Sequence, residues 1–165
     1  MNSRSTWPTQ NDLPDKVRAG AIELLNQQLA DALDLALQAK QAHWNVKGPS
    51  FIALHELFDS VVGEILEHAD DLAERAVQLG GTALGTARLA AKASRLTEYR
   101  LDISSGHDHV AALSAVIAKF GASARAGIDA ATALGDADTA DLFTEISRGV
   151  DKLLWKVEAH AGAKD

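Results

Sequence analysis

Apolar residues recur along this chain with the period of an α-helix. Leu25, Leu29, Leu33, Ala36 and Leu37 set the spacing, and the pattern predicts a first helix from about Asp15 to Asn45, ended by Gly48 and Pro49. A second run, Phe51, Leu54, Phe58, Val61, Val62, Ile65, Leu72 and Leu79, predicts a helix from Phe51 to the Gly80-Gly81 stop, where glycine suits a left-handed cap. Val110, Leu113, Val116, Ile117 and Phe120 predict a third, from about His107 to Leu134. Leu142, Phe143, Ile146, Val150, Leu153 and Val157 predict a fourth, from about Thr139 to Ala161. Pro8, Pro14 and Pro49 are the chain's 3 prolines, so nothing after position 49 forces a helix to break.

The connections set the topology. The first and last helix pairs are joined by stretches too short to travel back along a helix, so each pair is an antiparallel hairpin. Between the hairpins, Gly81 to Gly106 must return along a rod of about 43 Å, at ~1.5 Å per residue. The Thr86–Ser94 stretch suits a short helix on that return, and Thr97 is a cap for a further turn. Two hairpins with one long crossover make an all-α, ferritin-like four-helix bundle.

At 165 residues the chain is one domain, read as a flexible N-terminal tail over 1–14 and a bundle over 15–165. Cysteine is absent, which excludes disulfides, thiolate nucleophiles and iron–sulfur clusters and leaves His and carboxylates as metal ligands. The opening MNSRSTWPTQNDLP lacks an apolar leader core and no later stretch reads as a membrane span, so the expected location is the cytoplasm. The formal charge of −7 favours cations over polyanions as guests.

The second helix carries the chemistry. His55 with Asp59, and Asp70 with Glu74, are i,i+4 pairs within one arc of roughly 100°. About 16 Å separates Asp59 from Asp70 along the axis, too far for one ion within one chain. An antiparallel second copy, with its two-fold axis near Glu64 and Ile65, brings the His55–Asp59 pair of one chain to the Asp70–Glu74 pair of the other. Val62, Leu66, Ala73 and Val77 lie among these groups and outside the core stripe, as such a contact requires. His43, closing the first helix in QAHWNVKGP, sits near enough to be a fifth ligand. Two imidazoles and three carboxylates suit Fe(II), with manganese and zinc as competitors. The chain has no Glu followed three residues later by His, so an ordinary di-iron centre inside the bundle is not expected.

The segments HWNVKGPSFIALHELFD, DDLAERAVQLGG and GDADTADLFTEISRGVDKLLWKVEAH together resemble the Dps family, mini-ferritins named for DNA binding in starved cells. The likeness covers nearly the whole chain after its first dozen residues. It implies that His43, His55, Asp59, Asp70 and Glu74 are ferroxidase ligands at the two-fold interfaces of a hollow homododecamer. It also implies that Fe(II) is oxidised there, preferentially by hydrogen peroxide, and stored inside as ferric mineral, which protects DNA from oxidative damage. Trp44 would then stand beside the site as a trap for stray oxidising equivalents. Asp136, Asp138 and Asp141 are candidates for an acidic entrance pore, with Glu145 a weaker one; against this, Asp138 is placed to cap the fourth helix and Asp141 to favour its dipole. Arg75 reads as a structural ion-pair partner.

The resemblance is weakest for DNA. The tail offers Arg4 against Asp12, the far end Lys164 beside Asp165, and twelve copies at −7 each would repel a polyanion unless divalent cations bridge. A nucleoid protein that coats DNA is the alternative function, and a helical assembly protein without redox chemistry a third. His68, His107, His109 and His160 receive no role from spacing alone.

Overall fold

A computed structural model describes residues 7–162. Its helices are α1 (Asp15–Asn45), α2 (Phe51–Gln78), α3 (Ala87–Ala93), α4 (Gly106–Leu134) and α5 (Ala137–Glu158), and no strand occurs among the described residues. α1 and α2 form one hairpin, α4 and α5 the other, and the segment bearing α3 crosses between them. The ferritin-like bundle expected from the spacing is the fold observed.

The core follows the predicted stripes. Phe58, Phe120, Phe143, Leu25, Leu35, Ile65 and Leu153 are fully buried, and alanines along α1 let the hairpins approach closely. Truncating one such phenylalanine to Ala costs roughly 3–5 kcal/mol. Gly127 on α4 faces Phe143 on α5, where a Cβ would come within 2.8 Å of the ring.

The crossover is held by polar side chains of α1 that periodicity alone does not interpret. Asn26 takes the Leu84 amide at 2.8 Å and donates to the Thr82 carbonyl. Asp31, buried, takes the Arg95 amide at 2.7 Å and its guanidinium at 2.9 Å. Gln38 donates to the Thr97 carbonyl. Each bond satisfies a backbone or side-chain group that burial would otherwise leave unpaired.

Several expectations are corrected. No helical turn follows Thr97, because its carbonyl is drawn to α1 and the chain runs on irregularly to Gly106. α5 starts at Ala137 and is capped by Asp136, whose carboxylate takes the Thr139 amide at 3.0 Å; Asp138 lies inside the first turn. The cause is Gly135, whose φ of 86° ends α4 and leaves the next residue at the cap. Trp7–Pro14 has no helix, yet it is not free: the Trp7 amide donates to the Gly80 carbonyl at 2.7 Å, and Arg18 clasps the Leu13 and Leu79 carbonyls. The part of the expected flexible tail over 1–6, Arg4 included, lies outside the described residues, as do Lys164 and Asp165. The most apolar long window lies in α4, at mean hydropathy 1.2, but Asp108, Lys119, Arg125 and Asp129 interrupt that helix, so it holds no run of ~18 uncharged apolar residues. Its apolar face, Val110, Leu113, Ile117 and Phe120, is packed in the bundle core.

Candidate metal centre

His43 stands in the last turn of α1 and His55 in the second turn of α2, and the short Val46–Ser50 connection brings the two together. Their rings stack with centroids 3.6 Å apart and planes 22° from parallel. The hydrogen bonds are reciprocal: His43 Nδ1–H donates to the His55 carbonyl at 2.8 Å, and His55 Nδ1–H donates to the His43 carbonyl at 2.9 Å. Both Nδ1 atoms are committed to main chain, which leaves Nε2 as the ring position of each that no hydrogen bond occupies. A carbonyl partner on the other ring nitrogen is the usual way a protein fixes the tautomer and orientation of a metal-binding histidine. Phe51 packs on His55 at 5.1 Å, and His43 is buried.

Asp59, one turn beyond His55, is about half exposed. A hydrogen bond from the Lys40 ammonium holds its carboxyl below the usual carboxylate range against a loss of hydration, helped by the charge of Lys40 and by the nearness of His43 and His55. Lys40 lies one turn before His43 on the same face of α1, a placement that marks it as a neighbour of the site although no ligand spacing singles it out.

Asp70 and Glu74 are exposed farther along α2, away from the two histidines. Among the described residues no three His, Asp or Glu side chains converge as a metal-binding group. Within one chain the candidate ligands therefore fall into two groups, His43, His55 and Asp59 at the α1–α2 corner and Asp70 with Glu74 farther along α2.

The surface between the halves is apolar. Leu66 is 46% and Val77 55% exposed, Leu37 on α1 is exposed, and Val62 and Ala73 are half-buried. Leu33, Leu37, Val62, Leu66 and Ala90 border a groove of about 330 Å³ on this side. Such a contiguous patch departs from the scattered exposed apolar residues of an ordinary surface.

The acidic cluster divides. Asp136 is buried, taken by Arg75 Nη2 at 2.9 Å and by the Thr139 hydroxyl at 2.6 Å, so it is not presented to solvent as a pore residue would be. Burial raises its pKa, but the Thr139 bonds and the Arg75 charge outweigh that and hold the group below its ordinary value. Arg75 is structural, as expected. Asp138, Asp141 and Glu145 are exposed, and Asp141 borders a hollow of about 420 Å³ with Ile128, Thr132 and Thr144. Trp44 is 64% exposed beside His43. His68 packs across Gly149 of α5, and His107 and His160 are exposed.

Comparison with known proteins agrees with the fold. The ferritin-like domain model matches residues 22–163. A "DNA protection during starvation protein" of Agrobacterium fabrum is 48% identical over 162 residues, covering 96% of this chain and 98% of the relative. A Dps structure from Mycobacterium smegmatis, in a tetragonal form, superposes with a TM-score of 0.89 at 33% identity, covering 94% of this chain and 95% of that one. Dps from Microbacterium arborescens, in its high iron form, gives 0.83 at 34% identity, covering 92% and 97%. With the bundle, the crossover and the match along nearly its full length, this chain belongs to the Dps family of ferritin-like proteins.

Proposed function

We propose that this protein is an iron-storing ferroxidase whose reaction centres are completed between chains. Iron storage and protection of DNA are the general role that family membership supports. The finer assignment places His43, His55 and Asp59 of one chain and Asp70 and Glu74 of an antiparallel copy around Fe(II), twice per pair of chains, in a hollow dodecamer. Fe(II) is the substrate, hydrogen peroxide the preferred oxidant, and zinc or manganese are competing occupants. The observation that carries this reading is the stacked pair, whose Nδ1 atoms are both tied to carbonyls and whose Nε2 atoms are both left for a ligand. The unpartnered apolar surface of α2 supports the second copy, because its burial removes Leu66 and Val77 from water.

In this arrangement the chain's own groups have distinct tasks. The imidazoles are presented with tautomer and ring plane fixed before iron arrives, which reduces the ordering cost of binding. Lys40 holds Asp59 ionised and must yield its hydrogen bond when the carboxylate turns to a metal. Two Fe(II) ions each give one electron to a peroxide, so the O–O bond breaks by two electrons, and hydroxyl radical arises only where a peroxide meets a single Fe(II). Asp141, with Glu145 one turn on, is the acidic group left to draw cations to an entrance, since Asp136 is committed to Arg75 and the exposed Asp138 also lies 3.8 Å from that guanidinium.

Anaerobic Fe(II) titration followed by peroxide, on size-fractionated protein, tests this. Wild type should form ferric product at about half a peroxide per iron, and His55→Ala with Asp59→Ala should lose at least about 100-fold in rate while the assembly survives. An unchanged rate in that variant would leave only an assembly role. DNA coating is the competing reading, drawn from the names of the relatives. Strong gel retardation at physiological salt without Mg²⁺ would favour it, against the charge of −7.

A further inference from the structure

The crossover carries a buried pair that the proposed ferroxidase centre does not use. Tyr99, the chain's 1 tyrosine, is 8% exposed, and His109 in the first turn of α4 is 1% exposed. The phenol oxygen lies 2.8 Å from His109 Nδ1, and the ring planes are within 15° of parallel. His109 Nε2 is buried with no hydrogen-bond partner. Burial pushes the phenol's pKa well above its ordinary value and the imidazole's below, the latter opposed by the Asn45 main chain from outside hydrogen-bond geometry. His109 Nδ1 is the one acceptor within reach of the Tyr99 hydroxyl among the described residues, so with the ring in its Nε2–H tautomer the phenol donates to the imidazole.

That arrangement differs from a merely satisfied buried tyrosine. A carbonyl or hydroxyl partner would satisfy the O–H but could not accept its proton, whereas an imidazole does both. When a phenol in this setting loses an electron, the positive charge left behind is costly to bury. Shifting the proton along the existing hydrogen bond places that charge on the imidazole without rearrangement. The pair lies toward the same end of α1 as the candidate metal centre. Asn45, against His109, follows His43 and Trp44 in the last turn of α1, and the Lys47 amide donates to the Ser104 carbonyl at 2.9 Å, joining this corner to the start of α4.

We propose that Tyr99 and His109 form a redox relay that consumes one-electron oxidising equivalents escaping from iron chemistry at the α1–α2 corner. The proposal rests on the iron–peroxide reading above for its oxidant, a hydroxyl radical or the Trp44 indolyl radical that one produces. The oxidant takes one electron from Tyr99, and hydroxyl radical becomes hydroxide. The phenol O–H bond breaks, its proton forms a bond to His109 Nδ1, and the products are a neutral phenoxyl radical and an imidazolium. One further Fe(II) then returns the electron and becomes Fe(III), while the proton goes back to oxygen. Each cycle converts one radical and one Fe(II) into hydroxide and Fe(III), leaving the protein unchanged. His109 is a positioning and proton-accepting residue for Tyr99 rather than a ligand.

Freeze-quench electron paramagnetic resonance on the assembled protein, after Fe(II) and excess peroxide, is the first arm of the test. Wild type should show a phenoxyl signal, which has one possible source in this chain. Tyr99→Phe should abolish it and raise spin-trapped hydroxyl radical severalfold, with Fe(II) oxidation unchanged. In the second arm, pulse radiolysis generates azide radicals, which oxidise indoles without iron. The phenoxyl band should grow as the indolyl band decays, roughly 100-fold more slowly in His109→Gln, with assembly checked by light scattering. Absence of ferric product in the first arm would sink the ferroxidase reading and leave the pair to be judged by the second. An indolyl signal alone in both arms, or an undiminished transfer rate in His109→Gln, would overturn the relay.

Discussion

At the scale of single residues, a group's role is set by what holds its other atoms. His43 and His55 are fit for a metal because carbonyls occupy their Nδ1 atoms, and His109 is fit to accept a proton because a phenol occupies its own. Asp136, in the same acidic cluster as Asp138 and Asp141, is removed from any pore by Arg75 and Thr139. Its depressed pKa gives a testable pH dependence. A carboxyl bound more favourably when ionised stabilises the fold above its unfolded pKa, near 3.8, and loses that contribution as pH falls through the lower folded value. Asp136→Asn should therefore be less stable than wild type in urea at pH 7, and the gap should close toward about pH 3. A gap independent of pH would mean that the charge contributes nothing. The ligand residue types and the i,i+4 spacing were legible in the sequence. The reciprocal carbonyl bonds, the hold of Lys40 on Asp59 and the Tyr99–His109 pair were not, because each joins positions whose separation along the chain carries no periodic signal.

At the scale of elements, periodicity located the four long helices, since a 3.6-residue stripe is imposed by burial on one side. Ends were less legible. The α5 start lies two residues earlier than expected because Gly135 ends α4 in a left-handed conformation and leaves Asp136, not Asp138, at the cap. The Thr97 turn failed because a donor on α1, Gln38, claims its carbonyl from outside the segment. The α4–α5 hairpin depends on a close approach at Gly127. Gly127→Ala would press a methyl group onto the Phe143 ring, and thermal or urea unfolding should show a loss of about 1–3 kcal/mol. A neutral or stabilising result would mean that Phe143 has room to shift.

At the scale of the whole molecule, one chain presents two separated groups of candidate ligands with an apolar strip beside them. If that strip is the face on which copies meet, Leu66→Glu should lower the mass of the assembly and its Fe(II) oxidation together, as read by native mass spectrometry and ferric absorbance. Full activity from a dissociated chain would refute the shared centre. What the sequence determined by itself is what periodic burial and local chemistry encode: the helices, their pairing through short connections, the absence of thiol chemistry and the five candidate ligands. What only the tertiary structure decided is which polar groups were already engaged. Asp136 was committed to an arginine far away in the chain, Asn26, Asp31 and Gln38 to the crossover, and the two histidines to each other's backbone. Hydrogen bonds are directional and short, so they depend on the final packing of the helices, whereas the hydrophobic pattern that forms those helices needs only to know which side faces the core.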